Sequence, residues 1–267
     1  MNDSYKVKVE QLVDDLKAVF THAGLGGEAG EYKLLTQSFL YKFLNDKFLY
    51  EALQIDPSYN FAGLQALNKA DYDWFLDDIG TKTAHLMPDE LIEALHRQQN
   101  EEDFYQTFEN TLNKIAISNN AIFSVHTAGN TDIRLFDERL ITDNISDSSK
   151  RNEVAAAIIN LLASVKFDEA IFSQGFDFFS TIFEYMIKDY NKDGGGKYAE
   201  YYTPHSVAKI IADILVGQDS PQNVKIYDPS AGSRVIIMTE ANSSVNTRVL
   251  KLLPKSKTEK TESLRVA

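Results

Sequence analysis

The chain has 267 residues, an apolar content of 43% and a formal net charge of −12. That length and apolar content are enough for one large or two modest hydrophobic cores. No apolar run reaches the roughly 20 residues that a membrane-spanning helix needs, the first residues lack a signal core, and there is no cysteine for a disulfide or a thiolate metal site. These features predict a cytoplasmic protein without a membrane partner. The negative charge argues against unaided DNA binding, because phosphate contacts usually need a basic surface.

The first half of the sequence repeats apolar residues at the spacing of amphipathic helices. Ser4 is predicted to cap a first helix that ends in the glycine-rich loop AGLGGEAG, and a second helix is predicted from about Glu31. The aromatic stripe of the second helix, which includes Phe39 and Phe43, is expected to pack in the core rather than bind a ligand. Shorter helices are predicted in three further segments: 72–76, 89–95 and 104–115.

The pattern changes from about Ala121. AIFSVHT and DIRLF, separated by AGNT, predict two short strands around a Gly-Asn turn, and the isolated His126 is expected to be structural or exposed. Apolar residues from Val154 onward predict another helix. FDFFSTIFEYMIKDY predicts a strongly apolar helix that breaks at the three glycines of NKDGGGK. We therefore place the organisational boundary between about Ser164 and Lys197.

The segment from Gly194 to Ser233 carries the residues that point to chemistry: GGGKYAEYYTPHSVAKIIADILVGQDSPQNVKIYDPSAGS. Thr203 is placed to cap a helix that starts at Pro204 and has one apolar face. The run VKIYD predicts a buried strand that delivers Asp228 at its carboxyl end, where α/β sheets bind ligands. The following PSAGS has no bulky side chain, so its backbone can approach a cofactor closely. Taken alone, Asp-Pro followed by small residues is an ordinary turn in most proteins.

The combination of YYTP at 201–204 with DPSAGS at 228–233 resembles the amino-methylating DNA methyltransferases whose cofactor motif precedes the target motif. More narrowly, FFSTIFEYMIKDYN, the glycine loop and KYAEYYTP resemble the modification subunit of type I restriction–modification systems. That family also carries a helical N-terminal domain of comparable length. The resemblance covers about the first 233 residues and is most specific from Phe176 to Ser233.

The resemblance implies that S-adenosylmethionine is the cofactor and that the two motifs hold it. Thr203 would contact the methionine carboxylate, at a helix N-terminus that also favours an anion. Asp228 would meet the cofactor's ammonium group, and Gly232 would allow close approach. The residues implied in cofactor binding are Tyr201, Tyr202, Thr203, Pro204, Asp228, Pro229, Ser230 and Gly232. The two tyrosines either shelter the cofactor or simply pack; no catalytic residue is assigned, and no metal is implied.

Two departures from the family pattern predict that the chain is incomplete as an enzyme. Arg234 stands where the family's loop normally continues with a second glycine. The Asn-Pro-Pro-aromatic motif, which in the family holds the extruded adenine, is absent because no two of the six prolines are adjacent. Only 39 residues of the 267 follow Asp228, too few for the further strand–helix units of about 30 residues each that a doubly wound sheet needs. We therefore expect a truncated chain that is inactive alone.

The fold prediction is mainly α, with a helical N-terminal domain at 1–164, the start of an α/β, Rossmann-like methyltransferase domain at 165–233, and a divergent tail at 234–267. The resemblance implies an N6-adenine DNA methyltransferase subunit that reaches DNA in a complex with a specificity subunit and a restriction subunit. Two alternatives stay open. One is a non-catalytic helical module that binds partner subunits or DNA, and the other is an S-adenosylmethionine enzyme that acts on RNA or protein.

Overall fold

The structure, a computed structural model, describes residues 3–26, 29–123, 125–126, 132–167 and 169–172, together with positions 207, 210, 211 and 214. The α-helices in these ranges are α1 Asp3–His22, α2 Ala29–Ile55, α3 Phe61–Ala66, α4 Lys69–Ile79, α5 Ile92–Gln98, α6 Phe104–Ser118, α7 Asn120–Phe123, α8 Leu140–Asn144, α9 Arg151–Ser164 and α10 Glu169–Phe172. Single 3₁₀ turns lie at Gly80–Lys82, Pro88–Glu90 and Ser148–Lys150. The predicted mainly α character is confirmed.

Contacts along the chain define two compact units. The first is Met1–Phe123 with Arg134–Glu200, and the second is Ser124–Ile133 with Tyr201–Ala267. All ten helices above belong to the first unit, and the predicted boundaries at 164 and 233 stay predictions.

Helix α1 ends where the glycine-rich loop was predicted to end it. The amide of Leu25 donates to the carbonyl of Phe20 at 2.9 Å, and the amide of Gly24 donates to that of Thr21 at 3.0 Å. This pair of hydrogen bonds is a Schellman motif, and Gly24 supplies the positive φ of 96° that it requires. At the other end the helix begins at Asp3, so Ser4 lies inside its first turn and does not precede it as a cap.

Helix α2 is buried on several sides, and it contacts α1, α4, α8, α9 and α10. Phe39 is 1% exposed and Phe43 packs against the core, which confirms that the aromatic stripe belongs to the hydrophobic interior. The helix also buries several polar and charged side chains: Glu31, Ser38, Lys42, Asn45 and Asp46. An unpaired buried charge is costly, and Lys42 and Asp46 compensate each other by forming an ion pair.

Helix α9 is the second central element, and it contacts α1, α5 and α6. Its buried residues include Val154, Ile158 and Leu162, as the apolar spacing predicted. The three short helices predicted upstream are also confirmed, as α4, α5 and α6. Helix α8 was not predicted, because five residues are too few to show a helical period.

The predicted hairpin is present but short, and it belongs to the second unit. Strand β1 (Val125–His126) pairs antiparallel with strand β2 (Asp132–Ile133), with Val125 opposite Ile133. The predicted first strand was too long, because the AIF of AIFSVHT lies in α7. The expectation for the His126 side chain, and the helix predicted at 176–190, fall outside the part of the chain that the structure describes.

Candidate functional site

The eight residues predicted to bind the cofactor lie outside the described residues. The helix predicted from Pro204 is described at four positions, all of them helical: Val207, Ile210, Ile211 and Ile214. Ile214 is 74% exposed and Ile210 is 60% exposed. At these positions the face that the sequence predicts to be apolar is therefore open to solvent.

The first unit contains a buried polar cluster at the point where the chain leaves α9. Lys42 and Asp46, one turn apart on α2, form an ion pair of 2.9 Å between Nζ and Oδ2, with side chains only 4% and 5% exposed. The amide of Phe167 donates to Asp46 Oδ2 at 2.7 Å. Asn45 donates to Asp46 Oδ1 at 2.8 Å and accepts the amide of Ile92 at 2.9 Å. One cluster thus ties three separate segments together.

Burial of this cluster has an electrostatic consequence. Desolvation lowers the pKa of the Lys42 ammonium, and the adjacent Asp46 carboxylate opposes that shift. The ammonium also lies 5.3 Å from the centre of the Phe167 ring, which is a favourable cation–π distance. Each buried charge is therefore compensated by the other. Removal of either partner would leave a buried charge unmatched.

The next contact along the chain is aromatic. The ring of Phe172 lies 5.6 Å from that of Phe43 and 5.3 Å from that of Tyr50. The ammonium of Lys47 lies 5.0 Å from the Tyr50 ring centre and 5.3 Å from the Phe172 ring centre. Helix α10 is held on α2 by this group of side chains.

A second buried carboxylate fixes α8. Glu109 accepts the amides of Ile141 and Thr142, both at 2.7 Å, and the hydroxyl of Thr142 at 3.0 Å. These amides lie in the first turn of α8, where backbone donors have no partner within the helix. Glu109 therefore serves as a cap that comes from another helix, and its role is structural.

Buried polar groups also fix the segment from Gly80 to Leu91. Asn119 accepts the amide of His85 at 2.6 Å and donates to the carbonyl of His85 at 2.8 Å. The hydroxyl of Tyr41 donates to the carbonyl of Glu90 at 2.6 Å, and burial raises the pKa of that hydroxyl well above its ordinary value. A proton so firmly held serves as a hydrogen-bond donor rather than as an acid.

An open cleft of about 530 Å³ lies beside this segment. Its lining residues are Gln65, Pro88, Asp89, Ala94, Arg97 and Gln98. The Arg97 guanidinium stacks 4.7 Å above the Phe61 ring and pairs with Glu93 at 2.8 Å, so it is already engaged within the protein. The cleft lining has no nucleophile with an adjacent base, and it does not indicate a reaction.

Within the described residues no group of three or more histidine, cysteine or acidic residues could hold a metal ion. None of their helices has both the length and the apolar character needed to cross a membrane.

Residues 174–263 match the family model for N-6 DNA Methylase. The chain also has the fold of the type I restriction-modification system methyltransferase subunit from Streptococcus thermophilus, with a TM-score of 0.61 and 19% sequence identity. That likeness covers 91% of this chain and 51% of the other, so the chain spans about half the length of that subunit. The resemblance predicted from the sequence is confirmed by these two matches.

All eight predicted cofactor residues lie within the matched segment, from Tyr201 to Gly232. The match also continues past Ser233 to residue 263. It therefore includes most of the segment that the sequence predicted to be a divergent tail.

Sequence reasoning missed the cluster of Lys42, Asn45 and Asp46. A signal for it is present: the oppositely charged pair is spaced i, i+4 in FLYKFLNDKFL, a run in which seven of the eleven residues are apolar or aromatic. That spacing is usually a solvated surface pair, so the sequence alone does not distinguish the two environments.

Proposed function

We propose that this chain is part of an N6-adenine DNA methyltransferase of a type I restriction–modification system. The observation that carries the proposal is the match of residues 174–263 to N-6 DNA Methylase, because this segment holds both predicted cofactor motifs. The likeness in fold to a type I methyltransferase subunit supports the same class over nearly the whole chain. It also argues against the alternative of an enzyme that modifies RNA or protein.

The proposed cofactor is S-adenosylmethionine, which supplies the methyl group for the N6 amino group of adenine. Thr203, which the sequence predicts to cap a helix, would bind the cofactor's carboxylate, and Asp228 would bind its ammonium group. Ser230 and Gly232 belong to PSAGS, whose small residues would allow close approach of the backbone. Tyr201 and Tyr202, with Pro204 and Pro229, complete the proposed site.

The 267-residue polypeptide is proposed to be inactive by itself. Its sequence has no adjacent prolines, so it lacks the Asn-Pro-Pro-aromatic motif that holds the target adenine in the family. The proposed partners are the specificity and restriction subunits of the same system, and the net charge of −12 agrees with DNA contacts made mainly by a partner. A non-catalytic helical module that binds such partners is the second candidate, since α1 to α9 bury a core of their own.

Ultraviolet crosslinking with S-adenosylmethionine labelled in its methyl group tests the cofactor site. We use crosslinking because we expect weak binding, and this method traps a ligand at low occupancy. Labelling should be displaced by S-adenosylhomocysteine. It should fall more than about tenfold in Thr203→Val, which removes the hydroxyl, and in Asp228→Asn, which removes the negative charge opposite the cofactor's ammonium group. Asp77→Asn, an exposed aspartate on α4, is the matched control and should label normally.

Methyl transfer and copurification complete the test. We expect no transfer to adenine from the chain alone, and measurable transfer would contradict its proposed inactivity. Absence of displaceable label would reject the cofactor site. If the unlabelled chain nevertheless copurifies with the specificity subunit, the non-catalytic helical module becomes the better description.

A further inference from the structure

Residues 165–172 contact one stripe of α2 just before residues 174–263, which we call the methylase segment. This stripe, which we call the α2 seat, consists of Lys42, Phe43, Asp46, Lys47 and Tyr50. It contacts the chain at Phe167 and again at Phe172, two residues before the matched segment starts at 174. The seat thus holds the end of the helical region at its junction with the proposed enzyme.

The first contact is specific to one atom. Asp46 Oδ2 accepts the backbone amide of Phe167, a residue 121 positions further along the chain, and both residues are buried. A hydrogen bond to a buried carboxylate is directional, and it is stronger than one between neutral groups. Lys42 supplies the balancing charge from α2 itself, so neither charge is buried alone.

The second contact fixes direction. Phe172 is only half-buried and packs against the rings of Phe43 and Tyr50, five residues beyond the amide that Asp46 holds. One attachment point would leave the chain free to pivot about it, whereas two points on the same helix define a path. Apolar packing by itself tolerates sliding, and the Asp46 hydrogen bond supplies the register.

We propose that Asp46 is a positioning residue: as part of the α2 seat it fixes the register of residues 165–172, which lead into the methylase segment at 174. Asp46 acts through the backbone of Phe167. Its relevance to methyl transfer rests on the proposed function, whereas its hold on residues 165–172 does not.

The test compares two double variants of the 267-residue chain. Lys42→Met/Asp46→Asn removes the ion pair but keeps a side-chain oxygen that can accept the Phe167 amide. Lys42→Met/Asp46→Leu removes the ion pair and the acceptor together. Replacing both charges avoids a lone buried charge, so both variants are expected to fold.

Hydrogen exchange of the 165–172 peptide is the measurement. We expect exchange in the leucine variant to be at least about tenfold faster than in the asparagine variant, because only the former loses the acceptor. Peptides from α6 and α9 should exchange alike in both variants. Equal protection of 165–172 in the two variants would overturn the proposal, since the aromatic contacts alone would then hold the segment.

A control variant and a second variant guard against a simple loss of stability. Glu109→Gln alters another buried carboxylate that accepts backbone amides, and it should leave the exchange of 165–172 unchanged. Phe172→Ala removes a half-buried ring and should accelerate that exchange while helix content, measured by circular dichroism, stays constant. If Phe172→Ala has no effect on exchange, the two-point seat is wrong.

The crosslinking assay then separates this proposal from the proposed function. If the unaltered chain labels with S-adenosylmethionine, we expect weaker labelling in the leucine variant and recovery in the asparagine variant; equal labelling would reject the role of Asp46 in positioning the segment. If the unaltered chain does not label, the cofactor site fails, while the exchange comparison still decides whether Asp46 holds the junction.

Discussion

The helical region and the methylase segment differ in what their residues indicate: the first shows a packed core, and the second shows a family match. In the helical region, the described residues between 3 and 167, packing is dense and the buried carboxylates of Glu109 and Asp46 have defined partners, yet none of the described side chains indicates a reaction. The segment 174–263 instead carries the match to N-6 DNA Methylase and both motifs proposed to bind the cofactor. The dense packing and the family match thus lie in different parts of this sequence.

The difference teaches how each kind of evidence arises. Core residues can be exchanged for others of similar volume, so two chains of equal fold need share little sequence. The identity with the subunit from Streptococcus thermophilus is 19% over a match that covers 91% of this chain. A cofactor site requires particular atoms at particular positions, and YYTP and DPSAGS, the motifs proposed to bind the cofactor, both lie within the matched segment. Each of the following predictions tests whether the helical region is an independently packed body.

The largest effect is expected from Phe108→Ala. Phe108 is fully buried on α6, and its ring meets that of Tyr41 edge to face with centres 6.2 Å apart. Removal of a buried phenyl ring should lower the free energy of unfolding by about 3–5 kcal/mol. Urea unfolding followed by circular dichroism measures the change.

The control for this variant is Trp74→Ala on α4. Trp74 is 79% exposed, so its removal should change stability by no more than about 0.5 kcal/mol. Similar losses in the two variants would show that the core described here does not stabilise the helical region.

A smaller effect is expected from Glu109→Ala. This change leaves the amides of Ile141 and Thr142 without their acceptor, at a cost of about 1–3 kcal/mol in the free energy of unfolding. Exchange of the α8 amides should accelerate as well. Glu109→Gln retains one oxygen and should recover most of the loss; if it is as unstable as the alanine variant, packing rather than capping explains the role of Glu109.

The smallest effect is expected on the pH dependence of the free energy of unfolding. Burial raises the pKa of Glu90 above its usual value of 4.5, although the amide of Met87, which donates to its carboxylate, partly offsets the shift. Between 4.5 and the raised pKa the folded protein holds this proton more firmly than the unfolded chain does. The contribution of Glu90 to the free energy of unfolding therefore falls as pH rises through that window.

Glu90→Gln should remove this contribution. Urea midpoints measured at several pH values from 4.5 upward should decline less steeply for the variant than for the unaltered chain. Identical pH profiles would mean that Glu90 is solvated like an ordinary surface carboxylate.

Much of the helical region could be predicted from local patterns. Gly24 ends α1 through a positive φ that glycine adopts freely, and the apolar spacing of α9 marks its buried face. The patterns failed at short elements. Helix α8 is too short to show a period, and AIF was assigned to a strand although it lies in α7.

The sequence by itself predicted the resemblance to DNA methylases, which the match of residues 174–263 confirms, because a motif is a local arrangement of residue types that can be read without the fold. It also determined that the aromatic stripe of α2 belongs to the core. Only the tertiary structure decided which charged side chains are buried, since Lys42 and Asp46 have the spacing of a surface pair. Their partner, the amide of Phe167, is distant in sequence and becomes a neighbour only when α9 packs against α2.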